Sequence, residues 1–96
     1  MKLEKLIEER RADILRISSL HGARSVRLFG SYARRASTEA SDVDLLVELQ
    51  PGSSLLDLVA IKQDLEDLLG CKVDVVTESS LSPYIREDVL KEAIVL

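Results

Sequence analysis

The apolar positions near the start of the chain follow a helical period. Between Lys2 and about Leu20, leucine and isoleucine return every three or four residues over much of the segment, as they do in a helix that buries one face. Gly22 lies just beyond, where glycine commonly ends a helix. A second stripe extends from Leu55 to Leu69, and Gly70 follows it. The pattern therefore predicts two amphipathic helices with glycine at their C-terminal ends.

Three shorter segments have the alternating or continuous apolar pattern of strands. They are Ser25–Phe29, Val43–Leu49 and Lys72–Val76. Ser54 and Asp57 resemble a capping pair for the second helix. We also expect a helical turn over Tyr32–Arg35 and a last helix from Ser82 to about Ala93, with proline in its first turn. The predicted fold class is α/β, in the broad sense that includes α+β, with three strands and about four helices; strand order and direction stay open.

Composition is that of one globular domain. The chain has 96 residues, of which 46% are apolar and 31% charged, so we expect residues 1–96 to form a single domain. A net charge of −4 makes nucleic-acid binding unfavourable, because phosphate contacts need a positive surface. No apolar run is long enough to span a bilayer, and acidic residues interrupt the N-terminus where a signal peptide would be apolar. We therefore expect a cytoplasmic protein that has no contact with membranes.

Three aspartates are the candidate metal ligands. Asp42 and Asp44 are separated by one residue on a predicted strand, so their side chains point to the same face, about 7 Å apart at the Cα atoms. Such carboxylates repel each other unless a cation lies between them. Asp74 stands in the apolar run of the next strand, where an ionised group needs a partner or a metal. If the two strands are neighbours in suitable register, the three carboxylates can hold two metal ions.

A purely structural interpretation of the same aspartates is possible. Asp42 would accept a local hydrogen bond at the start of its strand. Asp44 and Asp74 would form buried salt bridges with an arginine such as Arg27 or Arg86. Each of the three residues would then need its own explanation, which makes this interpretation the weaker one.

Gly30 and Ser31 end the strand that precedes the Asp-x-Asp strand. Glycine lets the backbone approach a phosphate closely, and serine at the start of a helical turn offers a hydroxyl and free N–H groups. The segment GSYARRASTEASDVDLLVE resembles the Gly-Ser-x10-Asp-x-Asp motif of the polymerase-β-like nucleotidyltransferases. Nearly the whole chain is similar to the minimal branch of that superfamily, whose members are encoded beside a HEPN-domain partner. The resemblance implies a mixed three-stranded sheet with flanking helices.

The resemblance also assigns roles to individual residues. It implies that Asp42, Asp44 and Asp74 bind metal and act in catalysis, and that Gly30 and Ser31 hold the triphosphate. Arg34 occupies a position that is often basic in the family and would contact a phosphate. Arg35 departs from the pattern, because many members have glycine there.

By this resemblance, the chain transfers AMP from ATP, with two Mg²⁺ ions, to a hydroxyl of a partner protein and releases pyrophosphate. A chain this short leaves little room for a recognition domain, so we expect the partner, a HEPN ribonuclease toxin, to present the acceptor in a complex. Two alternatives remain open. The protein could be an antitoxin that neutralises its partner by binding alone, through the first helix or residues 93–96, or it could modify a small molecule or an RNA end.

Overall fold

The computed structural model describes residues 3–30 and 43–96, with side chains from residue 5 onwards. The α/β fold class is confirmed, and the predicted helices and strands lie where the sequence placed them. Tyr32–Arg35, the predicted helical turn, falls outside the described residues. The observed elements are α1 (Leu3–Leu20), β1 (Ala23–Phe29), β2 (Val43–Leu49), α2 (Leu55–Leu69), β3 (Val73–Val76), a 3-10 turn (Glu78–Ser80), α3 (Pro83–Glu92) and β4 (Ile94–Val95).

The strands form one mixed sheet in the order β3-β2-β1-β4. β2 pairs antiparallel with β1 and parallel with β3. The prediction of three strands was incomplete, because β4 adds a fourth at the edge of the sheet, antiparallel to β1. Two residues are too few to show a period in sequence, and β4 becomes a strand only because Leu28 and Arg27 are there to pair with it.

Helices α1 and α2 cover one face of the sheet. Their buried side chains pack against the apolar residues that alternate along the strands. The second helix begins with the predicted capping pair: Ser54 accepts a hydrogen bond from the N–H of Leu56, and Asp57 accepts one from the N–H of Ser54. The fully buried members of this core include Ile7, Ile14, Leu28, Val43, Leu45, Ile61, Leu65 and Val73.

The other face of the sheet carries the residues that alternate with this core. Along β2 these are Asp44, Leu46 and Glu48. Helix α3 packs on the middle of this second face, where a smaller cluster joins Leu46, Phe29 and Val76 to Leu81, Val89 and Leu90. None of the helices in the described ranges has both the length and the apolar character required to cross a bilayer.

Candidate active site

Asp44 and Asp74 lie side by side on neighbouring strands. The parallel ladder between β2 and β3 pairs Asp44 directly with Asp74, and adjacent strands are about 4.8 Å apart. Both side chains belong to the second face, since Val43, Leu45 and Val73 on either side of them point into the core beneath α1 and α2. Both are partly buried. From the sequence, the carboxylates converge only if the two strands are neighbours in suitable register. The structure has that register for Asp44 and Asp74.

Gly30 closes this site from the β1 side. It follows Phe29, which pairs with Asp44, and its backbone has a left-handed conformation with φ of +72°. A Cβ atom at this position would overlap the carboxylate of Asp44 and lie 3.2 Å from its Cγ. Gly30 is thus required locally because only a residue without a side chain lets the backbone pass so close to Asp44.

A lysine–glutamate pair on α2 holds the backbone just before Asp74. Lys62 Nζ donates to the carbonyl of Val73 at 2.9 Å, and Glu66 Oε2 accepts from the N–H of Val73 at 3.1 Å. The two side chains also bond to each other at 2.9 Å. The hydrogen bond from Lys62, followed by the one from Val73, lowers the pKa of the Glu66 carboxyl, against the opposing effect of desolvation. These bonds fix the position of β3 at the edge of the sheet.

Sequence reasoning missed this clamp. The spacing of Lys62 and Glu66 by four residues is visible in the sequence and predicts a pair on the helix surface. The pair reaches the backbone of Val73 because of the way α2 packs beside β3. The spacing of the two residues in the sequence does not show this packing.

Three of the six predicted site residues fall outside the described ranges. They are Asp42, Ser31 and Arg34, and Arg35 lies there too. Within the described parts of the chain no three histidine, cysteine or acidic side chains gather as a metal site would need. The structure thus brings together Gly30, Asp44 and Asp74, and the convergence of Asp42 with them remains a prediction.

The arginines proposed as structural counterions do not serve that purpose here. Neither Arg27 nor Arg86 forms an ion pair with a carboxylate in the described ranges. The salt-bridge interpretation of Asp44 and Asp74 is therefore wrong for these two partners. Two adjacent carboxylates repel each other, and a hard divalent cation with oxygen ligands would relieve that repulsion.

Similarity to known proteins covers nearly the whole chain. The profile described as "Nucleotidyltransferase domain" matches residues 4–96. A protein of Methanocaldococcus jannaschii, provisionally named a protein adenylyltransferase, is 46% identical over 92% of this chain and 95% of its own length. The protein adenylyltransferase MntA of Thermococcus cleftensis is 44% identical over 76% of this chain and 74% of its own.

Solved structures that resemble this chain have related descriptions. A protein provisionally described as a minimal nucleotidyltransferase superposes with a TM-score of 0.85 at 50% identity, over 100% of this chain and 97% of its own. A toxin–antitoxin structure, MntA-HpeT, superposes with a TM-score of 0.69 at 26% identity, over 93% of this chain and 70% of the matched one. The chain belongs to the minimal nucleotidyltransferases of the nucleotidyltransferase-domain family, and it is a nucleotidyltransferase enzyme.

Proposed function

We propose that this enzyme transfers AMP from ATP to a hydroxyl group of a partner protein, with Mg²⁺ bound at its aspartates. The observation that carries the proposal is the in-register pairing of Asp44 with Asp74 on adjacent parallel strands. Two carboxylates at this spacing repel each other, and a cation bound by both relieves that repulsion. An enzyme that handles a metal–triphosphate complex needs carboxylates in such an arrangement.

The residues present fit a magnesium site. Asp44 and Asp74 offer carboxylate oxygens, the hard ligands that Mg²⁺ prefers, and both are held on regular strands rather than on a loop. We assign Asp42 to the same site by its place in the motif. Mg²⁺, when bound, would supply the positive charge that lets the carboxylates ionise together and that offsets the charge of the triphosphate.

The chain's own residues have three tasks in this reaction. Asp44, backed by Gly30, and Asp74, held by the Lys62–Glu66 clamp, fix the oxygen ligands in place. Gly30 and Ser31, with Arg34, would bind the triphosphate. The acceptor oxygen then forms a bond to the α-phosphorus while the bond from that phosphorus to the leaving oxygen breaks, and pyrophosphate departs. We assign Asp74, which lies beside Asp44 on the second face of the sheet, to take the proton from the acceptor hydroxyl.

The acceptor that we propose is a toxin, specifically a HEPN ribonuclease encoded beside this protein. Two observations support a toxin as the partner, whereas its identity as a HEPN ribonuclease is carried over from the family resemblance. Relatives that share 46% and 44% identity carry names of protein adenylyltransferases, and the MntA-HpeT structure is that of a toxin with its antitoxin. The enzyme would then act as an antitoxin that modifies its partner.

The test uses the product of the neighbouring gene, Mg²⁺ and ATP labelled either at the α-phosphate or at the γ-phosphate. We expect the α-label, and not the γ-label, to appear on the partner. Asp44→Asn and Asp74→Asn should each abolish the transfer. Asp67→Asn, a neutralisation of an exposed aspartate on α2, is the matched control and should transfer normally. Label from the γ-position on the partner would contradict AMP transfer.

Neutralisation by binding alone is the second candidate function. It is favoured by the large apolar side chains that the described surface exposes, with Leu55 77%, Leu56 78% and Tyr84 94% exposed. In this case the Asp44→Asn/Asp74→Asn double variant would still suppress the toxicity of the partner. Loss of suppression in the double variant, with the complex still forming, would support the enzymatic account instead.

A further inference from the structure

A second site lies on the same face of the sheet as the aspartates. It is a groove of about 520 Å³, which we call the arginine groove. Strands β1 and β2 contribute Arg27, Leu46 and Glu48 to it, and the segment after β3 contributes Thr77, Glu78 and Arg86. Its volume is within the range of sites that hold small ligands or short peptide segments.

The arginine groove is separate from the aspartate pair. Neither Asp44 nor Asp74 lines it: along β2 the groove begins at Leu46, about 7 Å from Asp44, and continues past Glu48. Val89 and Leu90 of α3 pack against Leu46 in the smaller apolar cluster. The arginine groove is therefore a neighbour of the aspartate site and is lined by different residues, with α3 contributing Arg86 to its wall.

The two guanidinium groups of this groove form no ion pair with any carboxylate of residues 5–30 and 43–96. The Nε–H of Arg86 is buried and finds no hydrogen-bond acceptor in the described parts of the chain. Its one side-chain hydrogen bond, from Nη2 to the carbonyl of Leu81, is 3.5 Å long. Arg27 is partly buried across from Leu46, and neither arginine forms an ion pair with a described carboxylate. Because a desolvated charge without a partner is costly, this pair is suited to receive an anion.

The acidic residues of the groove limit which anion fits. Glu48 and Glu78 are exposed, whereas Arg27 and Arg86 are partly buried and the Nε of Arg86 is fully buried. The carboxylate of Glu48 is also 3.9 Å from the exposed Arg24. A multiply charged phosphate would be repelled by the two outer carboxylates. A single carboxylate on a neutral backbone would be repelled less, because it carries one negative charge, and its planar shape suits bidentate bonds to guanidinium.

We propose that the arginine groove binds an aspartate or glutamate side chain of the partner protein, between Arg27 and Arg86. The proposal rests on the proposed function, since it supplies the docking site for the protein that is modified. Hydroxyls of Thr77 and Ser79, which are 3.2 Å from each other, are available to the backbone of the bound segment. A partner anchored there would lie beside the aspartate site, which begins about two strand residues away along β2.

The binding step can be tested without any transfer reaction. The wild-type chain, labelled with ¹⁵N, is titrated with acetyl-Gly-Glu-Gly-amide, with acetyl-Gly-Gln-Gly-amide and with sodium phosphate, each to millimolar concentration. The Nε–H signal of Arg86, assigned by its absence in Arg86→Lys, reports occupancy. We expect a saturable shift with the glutamate peptide only. An equal shift with the glutamine peptide, a larger one with phosphate, or none with any probe would overturn the proposal.

A kinetic experiment connects the arginine groove to the reaction. Arg27→Lys and Arg86→Lys keep the charge but lose the bidentate geometry, so each should raise the KM for the partner protein about tenfold and leave the KM for ATP unchanged. Arg24→Lys, an exposed control, should change neither. An equal increase in the KM for ATP and in the KM for the partner protein would contradict a docking role. If even the wild type transfers no AMP, the proposed function fails, while the peptide titration still decides whether the groove binds carboxylates.

Discussion

Replacing Gly30 by alanine tests the contact between β1 and Asp44. The chain provides a matched control, because Gly70 has nearly the same backbone conformation, with φ of +69° against +72°. Alanine costs about 1 kcal/mol of stability at either position, since an L residue with a side chain is strained there. At Gly70 the new Cβ has no atom within 4 Å, whereas at Gly30 it overlaps the Asp44 carboxylate. Of these two variants, only Gly30→Ala combines strain with a collision.

The collision can be relieved in two ways. If the backbone and Asp44 both hold their places, overpacking adds about 1–3 kcal/mol, for a total loss of about 2–4 kcal/mol in Gly30→Ala. If Asp44 moves away instead, stability falls less, but a displacement of about 1 Å at a reacting group lowers the rate on the order of 100-fold. In both cases Gly30→Ala is affected more than Gly70→Ala.

Urea denaturation and AMP transfer to the partner measure the two consequences. We expect Gly70→Ala to lose about 1 kcal/mol of unfolding free energy and to keep the wild-type transfer rate. Gly30→Ala should lose more stability, or should stay folded and lose most of its activity. Equal stability and equal activity in the two variants would refute the close approach of Gly30 to Asp44.

Three further variants test the cap of α2, a buried hydroxyl and the charge of Glu66. Ser54→Ala removes the cap of α2 and should lower the unfolding free energy by about 1 kcal/mol, measured with urea. Ser18 is fully buried and its hydroxyl has no partner in the described ranges, so Ser18→Ala should raise that free energy by about 1 kcal/mol; a decrease would indicate a hidden partner. The pKa of the Glu66 carboxyl is lowered in the folded protein, so its charged form stabilises the fold. This stabilisation is complete above the ordinary glutamate pKa of about 4.3, and it is lost as the pH falls through the lower pKa of the folded state. The difference in urea midpoint between the wild type and Glu66→Gln should therefore shrink from pH 6 to pH 3, and a constant difference would show that the charge is not involved.

The regular elements could be predicted because their apolar pattern repeats over enough residues to be recognised. The stripes of α1 and α2 repeat over several turns, and the alternation along β2 separates Asp44 from its core neighbours. The two-residue strand β4 shows no such period. It forms only because β1 leaves an edge to which Ile94 and Val95 can pair.

The site was predictable as a set of residue types and not as a geometry. The motif pointed to Asp44 and Asp74, but their register depends on how β2 and β3 pair. The position of Gly30 against Asp44 likewise arises from the pairing of Phe29 with Asp44. Arg86 illustrates the remaining difficulty: in sequence it is one more charge on an amphipathic helix, and only the packing of α3 on the sheet brings it into the same groove as Arg27.

We propose that Asp44 and Asp74 together bind the Mg²⁺ that AMP transfer needs. The most direct test is the dependence of transfer on Mg²⁺ concentration, followed by the intact mass of the partner, for the wild type, Asp74→Asn and the Asp67→Asn control. We expect the partner to gain the mass of AMP with the wild type and the control. Chelation of Mg²⁺ should abolish this gain, and Asp74→Asn should give none at any Mg²⁺ concentration. Transfer by Asp74→Asn at the wild-type rate, with the same Mg²⁺ dependence, would contradict the proposal.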